Sequence, residues 1–322
     1  MNAAGALLAS LRAVMLSAAL VACAPAPLFA APPAAREALY PEGPVVIGEA
    51  LYVAEMTADR IIRLRWAPEG GLRAETYFRR EGCGPTAMAE IAGGRRAVLC
   101  HLEGAVLIVD ESGAVERVIT VSEDGVRLDS PNDISADGAG GAYFSNAGIF
   151  SPHAPARGRV MRLAADLSVT SAAEGLAYAN GVAVDHARGR VLVSEHLARR
   201  VLAYPLRADG ALGAPETLIP RAEIDRVAPG AEPLMGPDGI EVTGEGEILV
   251  ALYGAGRFLR RSPGGALSAE PAATPYLCNL TIWDGALVLV GAYDNRQRPY
   301  PGLIEIRSRA PRRLGHRRFG FD

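Results

Sequence analysis

The chain has 322 residues, 49% of them hydrophobic and 21% charged, with a formal net charge of −3. That balance describes an ordinary globular protein with an ample core. It gives no electrostatic reason to expect nucleic acid, which wants a basic patch; the arginines at Arg307, Arg309, Arg312, Arg313, Arg317 and Arg318 read as a solvated tail.

Taken in chain order, residues 1–23 read as an export signal, with Arg12 ahead of an apolar run over 13–22 that is too short to span a bilayer. The tetrapeptide ending at Cys23 is similar to a bacterial lipobox, which predicts acylation of Cys23; the alternative is simple cleavage near Ala30. An Ala/Pro-rich stretch over 24–36 reads as a tether, and 37–322 as a single domain, periplasmic or otherwise exported. Export places Cys83, Cys100 and Cys278 in an oxidising compartment, where three cysteines leave at least one thiol unpaired. In a hairpin turning near Gly93 and Gly94 the registers of Cys83 and Cys100 do not face, so the favoured reading leaves them unbridged, with a disulfide between them as the alternative. Cys83 reads as a small apolar filler of a crowded axis, ahead of the rival reading as a thiol served by His101.

From Tyr40 onward a unit recurs: a polar step, an apolar strand, a tight turn, and two further strands. The steps are led by Glu42, Cys83, Asn132, Asn180, Asp238 and Asn279, at separations of 41, 49, 48, 58 and 41 residues. Predicted strands run over 43–47, 50–54 and 60–66 in the first unit and over 280–283, 287–291 and 303–307 in the last. Strand repeats of this length predict an all-β fold, a six-bladed β-propeller with a central metal site. Ring closure falls to residues 37–40 or to the segment around 312–321. The loop over 150–157, carrying His153, reads first as an ordinary surface loop, with a flap over the site as the rival reading.

Equivalent positions of a propeller converge on one axis, so Glu42, Asn132, Asn180 and Asp238 are expected to meet there. Asn and Asp also form ordinary turns, but the tight turns are already supplied elsewhere, for example by Asp137-Gly138 and Asp284-Gly285. Carboxylate and amide oxygens suit one hard divalent cation, Ca2+ first, with Zn2+, Mg2+ or Mn2+ as lesser alternatives. Such a cation with open positions polarises an ester-like carbonyl, and a neighbouring carboxylate can activate water. The polar ends of the second strands, Asn146 and Glu195 among them, are expected to contact substrate.

The run Ser130-Pro131-Asn132-Asp133, the run from Ala179 through Asn180 to Ala183, and Gly236-Pro237-Asp238-Gly239-Ile240 resemble the gluconolactonase, regucalcin and luciferin-regenerating-enzyme family. Glu42-Gly43-Pro44 is similar to that family's opening motif, and the resemblance spans about residues 40–294. It implies a calcium-type lactone hydrolase in which Glu42, Asn180 and Asp238 are metal ligands, Asn132 a ligand or substrate contact, and Asp238 the general base. The family's arginine two positions before that Asn is Ser130 here, which argues against a gluconolactone-type substrate while leaving Ser130 in a substrate-facing place. The expected partner is a small lactone or ester, with no protein partner and a membrane only through a lipid on Cys23. Two alternatives remain: a phosphotriesterase or arylesterase on the same site, and a non-catalytic binding propeller with a structural calcium.

Overall fold

The computed structural model describes residues 34–68, 71–230 and 232–307. The export signal, Cys23, the cleavage alternative near Ala30 and the arginines beyond Arg307 lie outside the described residues. The tether expected over 24–36 ends earlier, because Ala34–Leu39 already forms strand β1.

Four antiparallel meanders follow in order. They are β2 to β5 (Pro41–Ile47, Ala50–Glu55, Arg60–Trp66, Leu72–Arg79) and β6 to β9 (Pro85–Glu90, Arg96–Cys100, Ala105–Val109, Val115–Ile119). Then come β10 to β13 (Pro131–Ala136, Ala142–Asn146, Gly158–Leu163, Val169–Leu176) and β14 to β17 (Ala179–Asp185, Arg190–Glu195, Arg200–Pro205, Glu216–Ile219). After the short helix α1 (Arg221–Val227), an eight-stranded sheet holds β18 to β21 (Gly236–Val242, Ile248–Tyr253, Arg257–Arg261, Leu267–Pro271) and β22 to β24 (Tyr276–Trp283, Ala286–Ala292, Pro301–Arg307). Among the described residues its two halves pair as strands through the single bridge Tyr253↔Tyr276, and they pack through a core that joins Leu249 and Phe258 with Leu277 and Leu289. The fold is an all-β propeller. β1 pairs antiparallel with β24, so the N-terminal segment supplies the closing strand of the last sheet.

Why these residues form these strands follows from burial. The second strand of each meander is enclosed on both faces and reads as an apolar run, as in Arg96–Cys100, and in the second meander the third strand Ala105–Val109 is enclosed as well. Outermost strands face water and are polar: β9 is exposed at all but Ile119. Cores form between neighbouring meanders, as where Leu99 and Ile108 meet Phe144 and Met161. Between the first and last, Trp66 and Trp283 stack at 5.1 Å, and the Trp283 indole donates to the Glu49 carbonyl.

Five of the six polar steps turn out to lie inside the first strands rather than before them, while Cys83-Gly84 precedes β6. Each innermost strand carries a register shift there: between Glu42 and Val45, Pro85 and Ala87, Pro131 and Ile134, Ala179 and Val182, Pro237 and Ile240, and Leu277 and Asn279. Turn-forming residues thus serve bulges, which re-aim one side chain per strand toward the axis. The same irregularity corrects the cysteine reading. Gly84 at φ +52° and the shift after Pro85 swing Cys83 back onto Cys100, and the two form a disulfide with Cα atoms 4.6 Å apart. Cys83 is therefore neither a ring residue nor a thiol for His101, whose Nδ1 lies 3.2 Å from the Pro131 carbonyl.

Candidate metal and active site

Glu42, Asn180 and Asp238 sit at the bulges of β2, β14 and β18, each at most 7% exposed. Asp238 feels the Glu42 charge and is hydrogen-bonded by Asn180, so the three are brought together as expected. Asn132 occupies the corresponding bulge of β10 and is half-buried. Asn279 does not join them: its Nδ2 donates to Asp133 Oδ1 at 3.3 Å, one step deeper on the axis. In β22 it is Cys278 that reaches the ring, where it is buried, unpaired and hydrogen-bonded with Glu42.

The electrostatics are those of anions crowded out of water. Burial lifts Glu42 to about 8, with the Asp133 charge adding to the rise and the Cys278 contact opposing it. Burial also holds Asp238 well above the carboxylate range, helped by the charges of Glu42 and Asp133. Among the described residues no arginine or lysine pairs with any of the three. Asn180 Oδ1 is buried with no hydrogen-bond partner, an arrangement that costs free energy unless something else binds it.

Asn180 is held in that orientation by His196. The imidazole Nε2 lies 2.9 Å from the Leu234 carbonyl, an acceptor only, so Nε2 carries the proton. Burial lowers His196 to about 4, and the neutral ring presents the Nδ1 lone pair to Asn180 Nδ2 at 3.3 Å. The amide oxygen is left facing the ring. Two repelling carboxylates and an unbonded amide oxygen are a donor set that one hard divalent cation satisfies. The other acid-and-thiol cluster among the described residues, Cys83, Cys100 and Glu103, has its sulfurs spent in the disulfide.

A row of small residues lets the blades close in beneath. A Cβ on Gly181 would stand 2.1 Å from the Asp238 carbonyl oxygen, and one on Gly239 2.1 Å from the Asn279 amide. Asp133 fills the axis there, accepting from the N–H groups of Ile134 and Val182 at 3.0 Å each; burial raises it to about 6.

Residues 40–281 match the family model of the SMP-30/gluconolactonase/LRE-like region. The chain belongs to this family. Pentonolactonase XacC of Haloferax volcanii is 31% identical over 206 residues, a match covering 60% of this chain and 64% of that protein, less than two thirds of its length. Among solved structures, luciferin-regenerating enzyme superposes with a TM-score of 0.65 at 18% identity, covering 86% of this chain and 98% of that one. A gluconolactonase from Xanthomonas campestris gives 0.64 at 21% identity over 84% and 90%. The calcium-binding protein regucalcin of Agrobacterium tumefaciens gives 0.65 at 16% over 85% and 93%. These likenesses establish the propeller fold within the family.

Three of the sequence-derived substrate contacts are placed by the structure in other surroundings. Asn146 Oδ1 accepts the N–H groups of Asp129 and Ser130 at 3.0 and 3.1 Å, and its Nδ2 donates to the Arg127 carbonyl. Glu195 accepts from Ala177 N–H and from Arg200 Nε. Glu55 does the same for Leu39 N–H and Arg60, so these polar strand ends form a recurrent brace of the meander. Ser130 is half-buried beside this brace. His196 and Tyr253 follow second-strand ends, so that part of the aromatic surround was open to sequence reading; Tyr40, Phe150 and Tyr178 were missed. Phe150 of the loop over 150–157 packs on Tyr178, His196 and Tyr253 at 4.8, 5.2 and 6.0 Å between ring centroids, while His153 stays exposed. Tyr40, Tyr178 and His196 each adjoin a polar step or second-strand end, a signal that the repeat carried.

Proposed function

We propose that this family member is a metal-dependent lactone hydrolase, built as six blades with the two halves of the eight-stranded sheet counted separately. The observation that carries the reading is the buried convergence of Glu42, Asp238 and the unbonded Oδ1 of Asn180. Glu42, Asn180 and Asp238, with Asn132 beside them, would hold the cation, Ca2+ by the hardness of the donors. When bound, the cation supplies Lewis-acid polarisation of an ester carbonyl. Support for the substrate type comes from the names of the relatives, a pentonolactonase and a gluconolactonase.

The chain's own residues supply the rest. Asp238, buried beside Glu42 and Asn180, would take the proton of the attacking water. The carbon–oxygen bond of the lactone ring then breaks, and the proton held on Asp238 passes to the leaving alkoxide. Neutral His196 keeps the Asn180 amide turned inward throughout. The Cys83–Cys100 disulfide supports an exported enzyme, since such bonds persist in oxidising compartments.

The test is hydrolysis of a lactone panel (δ-gluconolactone, γ-butyrolactone, 3,4-dihydrocoumarin) by the full chain with Ca2+ and then with excess chelator. Calcium-dependent turnover of any member supports the proposal. Turnover of none, with Ca2+ still raising the melting temperature, would move the protein to the binding-module reading.

A further inference from the structure

Four aromatic side chains surround the ring. Tyr40 lies within electrostatic reach of Glu42 and Cys278, Tyr178 of Glu42 and Asp238, and Tyr253 of Cys278 and Asp238. Phe150 closes on Tyr178 and Tyr253 from the loop between β11 and β12. Two of these placements use unusual backbone. Tyr40 and Tyr178 each stand immediately before the first strand of a meander, and each has positive φ, 48° and 63°. Bulky residues rarely adopt that region, because it crowds the side chain against the backbone. The conformation is held by hydrogen bonds from Met56 N–H to the Tyr40 carbonyl and from His196 N–H to the Tyr178 carbonyl. Strain repeated at the same place in two meanders, each time turning a phenol over the ring, marks a built collar.

The collar offers phenol hydroxyls as its hydrogen-bonding groups, and two of the three are already linked. The Tyr253 hydroxyl already receives Asn295 Nδ2 at 2.7 Å and lies 3.5 Å from the Tyr40 hydroxyl. Arg199, the nearby cation, is turned away, its Nε donating to the Met235 carbonyl and its terminal nitrogen to that of Glu232. A polyhydroxylated ring entering here would lay most of its hydroxyls against aromatic faces, with the phenols alone to receive them.

We infer that the collar of Tyr40, Phe150, Tyr178 and Tyr253 binds a neutral lactone carrying an aryl or similarly flat apolar group, stacked against Phe150 with its carbonyl toward the ring. This rests on the lactonase reading. It makes Phe150 a specificity-determining residue that touches substrate away from the reacting bond.

The experiment compares 3,4-dihydrocoumarin with δ-gluconolactone in the calcium-loaded full chain, for wild type and Phe150→Ala. In parallel, calorimetry follows binding of the unreactive lactam 3,4-dihydro-2-quinolinone. The expected result is a kcat/KM at least about tenfold higher for the aryl lactone, the difference of one good aromatic contact. Phe150→Ala should raise its KM roughly three- to tenfold with kcat kept, leave the gluconolactone KM unchanged, and weaken the lactam by the same factor. Equal or better use of gluconolactone, or a variant that moves both substrates alike, overturns the inference. Lactam binding without hydrolysis of any lactone would remove the hydrolase reading and leave the collar standing. Failure of the lactam to bind would remove the collar whatever is hydrolysed.

Discussion

Replacing Glu42 by Gln should change stability in opposite directions with and without a divalent cation. In the metal-free protein Glu42 is lifted from 4.5 to about 8 by burial and by the Asp133 charge. Below about pH 4.5 the carboxyl is neutral folded or unfolded, so variant and wild type are equally stable. As pH rises toward 8 the unfolded chain releases the proton while the folded one retains it, and wild type loses stability across that window. At about 1.4 kcal/mol per tenfold change the loss is capped near about 5 kcal/mol; since Glu42 and Asp238 titrate as a pair, about 3 kcal/mol is the working figure. Gln escapes that loss, so in chelator at pH 8 Glu42→Gln should melt roughly 5–10 °C above wild type. With Ca2+ the order reverses, because the cation favours the ionised carboxylate and stabilises wild type by mass action. Thermal unfolding at pH 5 and pH 8, in chelator and in Ca2+, reads all four cases. A variant no more stable than wild type in chelator at pH 8 would refute the crowding, and an equal rise with Ca2+ in both would remove Glu42 from the metal site.

Asp238→Asn should keep the fold and lower kcat by roughly two to four orders of magnitude on whichever lactone is turned over; near-normal turnover takes Asp238 out of the mechanism. His196→Leu should weaken Ca2+ binding about 10–100-fold by calorimetry with little change in melting temperature, because it frees the Asn180 amide to rotate. Unchanged affinity there would mean that the amide is held by something else. Replacing Cys83 and Cys100 together by Ser opens a cross-link of sequence separation 17 and should cost about 2–3 kcal/mol in denaturant unfolding; an unaltered midpoint contradicts that.

The inner parts of the fold were legible because burial writes them in apolar letters. The strands expected over 43–47, 50–54 and 60–66 are observed as Pro41–Ile47, Ala50–Glu55 and Arg60–Trp66. The outermost strands β5, β9 and β13 went unseen, since a solvent-washed edge such as Val115–Ile119 needs no alternation and resembles a loop. Closure by β1 was equally hidden: both termini offer short mixed segments, and only the pairing of Ala34–Leu39 with β24 decides between them.

At the site, the residues that could be read were those whose chemistry is odd for their place, a Glu and an Asp at the start of apolar strands. Cys278 and Asn279 show the limit. Which of two neighbours faces the axis depends on where the bulge falls, and a shift of one residue exchanges ring for interior. The same shift united Cys83 with Cys100 against the plain hairpin register. Glycine ties the two levels together. Gly181 is legible as half of a turn dipeptide, yet its role is to let β14 approach the Asp238 carbonyl where a Cβ would stand 2.1 Å away. The spacing of the polar ring is therefore set by what is absent from a neighbouring blade, a relation between residues that no single repeat contains.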